Sequence, residues 1–162
     1  YTIKLEGAQP VGFRTISIAG IRAPDLIQQL DDVLEAVRAR VFTNFDSIDP
    51  SEAQLLFRVY GKNGVMGDLE PYTDQHPHEV GLVIEVVAKT QSLADTVCSF
   101  ARSTLLHFGY PGRQSTAGNL AFPYSPSDIS HGVVYEFSVY HLMIVDDPVS
   151  PFPMRIQDLG LV

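Results

Sequence analysis

Two stretches of this chain repeat apolar residues at spacings of three and four, and each is flanked by stretches that alternate apolar with polar residues. That order of periods constrains the fold more than any other feature. Leu26, Ile27, Leu30, Val33, Leu34, Val37 and Val41 define the first amphipathic helix, with Gln29, Asp32, Glu35, Arg38 and Ala39 on its opposite face. Pro24 suits the first helical turn, where its missing N–H costs nothing. Asp25 places a negative charge at the positive end of the helix dipole. The second helix is expected over residues 92–108, with Ala94, Val97, Cys98, Ala101 and Leu105 on its apolar stripe. Ser92-Leu-Ala-Asp95 resembles a capping box, and Gly109 suits the stop.

The strands follow from the period of two. Residues 1–6 and 12–19 alternate around Gly7-Ala-Gln-Pro10, which reads as the turn of a hairpin. Leu55, Phe57 and Val59 share one face of a strand over residues 54–60, ended by Gly61, Gly64 and Gly67. Residues 79–89 are apolar on both faces, which predicts a central strand. Residues 133–145 alternate Val133, Tyr135, Phe137, Val139, His141 and Met143 against Val134, Glu136, Ser138, Tyr140, Leu142 and Ile144, and an interior place is expected for them too.

The order βαββαβ is that of the split βαβ, or ferredoxin-like, unit. The expected fold is therefore α+β: an antiparallel sheet with two helices on one face, plus an extra N-terminal hairpin strand. Residues 1–145 are expected to form one domain. Residues 146–162 carry Pro148, Pro151 and Pro153 and are expected to form an extended tail. The chain opens on Tyr1 inside a strand pattern, so it is expected to be the C-terminal fragment of a longer protein.

At 45% hydrophobic residues the chain can bury a full core. Its 11 Lys and Arg against 19 Asp and Glu give a net charge of −8, which disfavours nucleic acid as a partner. No run approaches the ~18–20 apolar residues of a membrane-spanning helix. A lone cysteine, Cys98, forms no intrachain disulfide and fits a reducing, cytoplasmic setting.

Few residues point to chemistry. A sheet with helices on one face leaves its other face open to water, a ligand or another chain. Arg58, Glu85, Glu136, Ser138 and Tyr140 are the polar candidates for that face, as an interface with Arg58 beside Glu85 or Glu136. The twenty residues from Gly109 to Asp128 show no period, and loops of that length are often functional. Arg113, Ser115, Thr116, Asn119 and Ser127 supply polar groups there, and Gly112 and Gly118 let backbone N–H groups approach a ligand. An Arg beside hydroxyls suits a carboxylate or phosphate. His76, His78 and Glu79 stand close together, but Pro77 restricts their geometry and no metal site is assigned. No phosphate-binding loop, nucleophile elbow, paired cysteine motif or dinucleotide fingerprint is present, and no cofactor is assigned.

Tyr1-Thr-Ile-Lys-Leu-Glu-Gly-Ala, Ser17-Ile-Ala-Gly-Ile-Arg22, Phe57-Arg-Val-Tyr-Gly61, Pro77-His-Glu-Val-Gly81, Ala101-Arg-Ser-Thr-Leu105, Gly118-Asn-Leu-Ala-Phe-Pro-Tyr-Ser-Pro-Ser-Asp128 and Tyr135-Glu-Phe-Ser-Val-Tyr-His141 together resemble the later part of the acyclic terpene utilisation (AtuA-like) family. The resemblance covers most of the chain. The family's usual Arg-Asp-Pro appears here as Arg22-Ala-Pro24. The resemblance implies a bacterial or fungal cytoplasmic protein with a larger N-terminal part. It also implies a role in catabolism of acyclic or branched acids or their CoA thioesters. The partners it implies are that N-terminal part, further copies of the same protein, and an acyl-CoA or carboxylate ligand. No particular reaction comes with the resemblance. The alternative is a non-catalytic interaction or dimerisation module that uses the open sheet face.

Overall fold

The computed structural model describes residues 1–45, 51–114, 116 and 118–160. Its contacts divide the chain into two compact units, Val11–Val134 and Tyr1–Pro10 with Tyr135–Val162. They are called the body and the ribbon below. The elements in chain order are β1 (Thr2–Ile21), α1 (Pro24–Gln28), α2 (Leu30–Asn44), β2 (Ala53–Tyr60), a short 3-10 turn (Gly67–Leu69), β3 (Val80–Ala88), α3 (Gln91–Leu106) and β4 (Asp128–Ile144). The fold is α+β. Its four strands form a sheet in the order β2-β3-β1-β4, with β3 antiparallel to both β1 and β2.

In the body, β3 sits between two partners. Its residues Leu82, Ile84 and Val86 are fully buried. The register sets Ile84 opposite Ser17 on β1 and Phe57 on β2, and Val86 opposite Thr15 and Leu55. The helices cover this face. Leu30, Val33, Val37, Val97, Ala101 and Leu105 are all buried in one core with Leu55, Val59 and Ile21, as the helical spacing dictates. The helical run from Pro24 is interrupted at Gln29, whose φ of −115° and ψ of 22° leave the helical region. The Gln29 amide donates to the carbonyls of Asp25 and Pro111, so the break is tied to the loop after α3.

Three expectations are corrected. The N-terminal hairpin is absent: β1 runs unbroken from Thr2 to Ile21. Pro10 lies before the first β1–β3 pair, Phe13 with Ala88, so its missing N–H interrupts no ladder on that side. Gly12 carries φ +152°, and a Cβ there would lie 2.6 Å from the Ala88 carbonyl oxygen, so only glycine lets β1 pass. Second, β4 is an edge strand rather than an interior one. Apolarity on both faces shows that a strand needs cover, and does not show that its own chain supplies it. Third, Thr90 rather than Ser92 caps α3, its hydroxyl accepting from the Leu93 N–H. Asp95 is drawn away into tertiary hydrogen bonds.

Candidate functional site

Glu85 is the buried charge of the open sheet face, only 5% exposed. It reaches that position because β3 alternates, so the residue between Ile84 and Val86 turns away from the helices. Ile16 on β1 and Leu56 on β2 stand opposite it. Arg14, two residues before Ile16, and Arg58, two residues after Leu56, are diagonal neighbours on the same face. Arg58 Nε donates to Glu85 Oε2 at 2.9 Å. Arg14 Nε lies 2.7 Å from Oε1 but off the hydrogen-bond axis, so that contact is an ion pair without an aligned hydrogen bond. Two guanidinium groups thus share one carboxylate. Partly exposed Ile16, Ile18, Leu56, Val83 and Val87 surround them.

Glu136, Ser138 and Tyr140, expected on this face, belong to the ribbon. Glu136 accepts from the Gln9 side-chain amide at 2.9 Å. Lys4 Nζ stands 4.7 Å from the centre of the Tyr140 ring. Val145 N–H donates to the Tyr1 carbonyl, so the two segments pair antiparallel from 1 and 145 towards 9 and 136. Ribbon side chains on both faces are exposed: Tyr135 and Phe137 on one, Tyr140, Leu142 and Ile144 on the other. The body's Arg14 escaped the sequence reading. Its signal was the alternation that places it in line with Ile16 and Ile18.

The long loop spends its polar groups on itself and on the elements beside it. Asn119 is buried; its oxygen accepts from Tyr110 Oη at 2.9 Å, and its amide donates to the Gln114 carbonyl. Arg113 donates to the Leu106 carbonyl. The Ser127 carbonyl accepts from Ser17 Oγ, while Thr116 is exposed. Ser115 lies outside the described residues. Thr116 and Asn119 line a cleft of about 230 Å³ with Ala23, Asp25, Tyr110 and Gln114. Burial raises the Tyr110 phenol above its ordinary value, helped by Asp25 and opposed by Arg113. Gly20 exchanges both backbone hydrogen bonds with Ala121, and Gly118 accepts from Arg22 and Ala23. Leu120 is buried in the core, with Phe122 packed against it.

Two further features shape the body. A cleft of about 510 Å³ lies between the β2–β3 connection and α2, lined by Asp31, Lys62, Asn63, Glu70 and Tyr72. A cleft of about 370 Å³ shares Lys62, Thr73 and Gln75 with it and reaches Arg22, His76 and His78. Lys62 is committed to Asp31 at 2.5 Å. Among the described residues no group of three or more His, Cys, Asp or Glu side chains is arranged to hold a metal ion. Elsewhere, Asp95 Oδ1 accepts from Thr15 Oγ1 at 2.5 Å, Ser130 Oγ at 2.8 Å and the Gln91 amide at 2.9 Å. The Thr15 hydroxyl, then Gln91 and Ser130, hold the Asp95 carboxyl below its ordinary value against the opposing effect of burial. This network explains why the buried face of β1 carries hydroxyls: Thr15 and Ser17 are fully buried, and both donate.

Comparison with known protein families, characterised proteins and solved structures gave no match. Among the described residues no helix is long and apolar enough to cross a membrane.

Proposed function

We propose that this chain is an assembly domain of a longer metabolic protein of the acyclic terpene utilisation type. It holds copies of that protein together and leaves the chemistry to other parts. One observation carries the reading: the ribbon exposes Tyr135, Phe137, Tyr140, Leu142 and Ile144, each more than 60% accessible. Two-stranded ribbons are marginal in water by themselves, and exposed apolar patches of this extent mark interaction sites. The hydrogen bonds of the long loop close within the loop and on its neighbours Ser17, Gly20, Arg22, Ala23 and Leu106, which supports a structural role for it. The same proposal reads the body as ferredoxin-like, supported by the order β2-β3-β1-β4 and by helices packed on one face. It keeps the family context of acyclic or branched acids and their CoA thioesters, in the cytoplasm. Sedimentation equilibrium from about 1 to about 100 μM tests the assembly reading. A dimer or higher oligomer is expected, and a strict monomer throughout overturns it.

A second reading rests on the cleft beside Thr116 and Asn119: the loop borders a site for a carboxylate or acyl-CoA ligand. A thermal-shift series with acetate, a branched acid and its CoA thioester tests it. Stabilisation by the thioester that is lost in Asn119→Ala supports it, and no shift with any of the three rejects it.

A further inference from the structure

The assembly reading leaves open which surface receives the ribbon. We infer that the ribbon and tail of one copy seat on the Arg14–Glu85–Arg58 sheet face of a second copy, in a reciprocal exchange.

Charge is the first argument. The receiving face carries two guanidinium groups against one carboxylate, in a protein whose net charge is −8. Each guanidinium meets Glu85 through Nε, and its Nη groups make no hydrogen bond among the described residues. The ribbon unit carries Glu6, Glu136, Asp146, Asp147 and Asp158 against only Lys4 and Arg155. Face against face would set like excess charge together, and ribbon against ribbon would do the same with the opposite sign. Ribbon against face is the complementary pairing.

Shape and area agree. Arg14, Glu85 and Arg58 line none of the clefts described above. An apolar face whose charged centre lines none of these clefts suits an extended segment better than a small molecule, which needs a concave site. Five aromatic rings of the ribbon unit, Tyr1, Tyr135, Phe137, Tyr140 and Phe152, are between 64% and 81% exposed. Rings of this kind bury on the order of 150–250 Å² each. With the aliphatic neighbours they reach the ~800 Å² that each partner brings to a stable interface. Reciprocal exchange lets each ribbon meet the partner's sheet face, around a two-fold axis that closes the dimer.

The test is complementation between two variants. One carries Phe137→Asp and Leu142→Asp on the ribbon. The other carries Leu56→Asp and Arg58→Glu on the receiving face, with Arg58→Glu alone as a milder form. Circular dichroism and a cooperative unfolding transition check that each is folded. Each double variant is expected to be monomeric, and Arg58→Glu alone to weaken dimerisation about tenfold, less so at high salt. Mixing the two double variants is expected to restore a heterodimer, weaker than the wild-type pair, because one intact ribbon still meets one intact face. If the face variants remain dimeric while the ribbon variant does not, the inference fails and the assembly reading stands. Failure of the mixture to associate also overturns it, in favour of a face-to-face or ribbon-to-ribbon contact. A monomeric wild type removes both.

Discussion

In β3, Leu82, Ile84 and Val86 are fully buried; in the ribbon part of β4, Phe137, Leu142 and Ile144 are 61% exposed or more. Both segments are apolar on both faces. What differs is the company. β3 has a strand on each side and two helices over one face. The ribbon part of β4 pairs with the first residues of β1, and its apolar side chains stay open on both faces. Apolarity states a demand for burial, and topology decides whether the same chain meets it.

Truncation to alanine separates the two segments. Ile84→Ala is expected to cost about 2–5 kcal/mol, because it opens a cavity where nothing can collapse. Phe137→Ala, measured on dilute monomer, is expected to stay within ~0.5 kcal/mol, because its ring is already in water. Urea unfolding of both variants decides. A large loss at Phe137 in the monomer means that the ribbon is packed within its own chain.

The same contrast can be drawn with charge. Glu85→Gln keeps the shape and removes the charge that holds two guanidinium groups. It is expected to cost about 1–2 kcal/mol, near the lower end for a charge-assisted bond because Arg14 and Arg58 are 35% and 46% exposed and can turn to water. Glu136→Gln in the ribbon is expected to change stability by less than ~0.5 kcal/mol. Equal costs at the two positions, in the same unfolding assay, contradict the reading that burial makes the Glu85 carboxylate costly to lose.

A smaller effect is expected at Asp95, and it depends on pH. The folded carboxyl ionises below its ordinary value of 3.8, chiefly through the Thr15 hydroxyl. Its contribution is therefore fully present above that value and is lost as pH falls through the lower, folded one. Asp95→Asn should lower the unfolding midpoint at pH 7 and converge on wild type in strong acid. A gap between the two that persists unchanged down to about pH 2 assigns the effect to geometry rather than to the charge.

The helices and core were legible because their signal is local. Leu30, Val37, Val97 and Ala101 repeat at helical spacing, and each is buried. The pairing of Arg58 with Glu85 was legible too, since alternation on adjacent strands fixes which residues share a face. The long first strand was not. Gly7 and Pro10 are turn residues by type, and only the pairing of residues 1–9 with the distant stretch near 136–145 keeps them in a strand. The burial of Thr15 and Ser17 was not legible for a related reason. Their burial depends on Asp95 and Ser127, acceptors some eighty and one hundred and ten residues away. Arg14 was missed because an arginine on an open sheet face is usually solvated, and nothing nearby in sequence announces Glu85.

The smallest expected effect is none at all, and Cys98 is placed to report it. The thiol lies fully buried on α3, against the Ile84 carbonyl. Burial first, then Asp128 and Asp95, pushes it up to about 12 from 9.0, with Arg102 pulling the other way. At pH 8 the thiolate is then about a thousandfold scarcer than in an ordinary cysteine. Labelling by an aromatic disulfide reagent must wait for the body to open. Val97→Ala, which loosens the packing beside the thiol, should speed labelling in step with its loss of stability. Phe137→Asp with Leu142→Asp should leave the rate unchanged on dilute monomer, because the body's core does not draw on the ribbon. Acceleration by the ribbon variant would mean that the two regions unfold as one cooperative unit, and the contrast between them would hold for burial but not for stability.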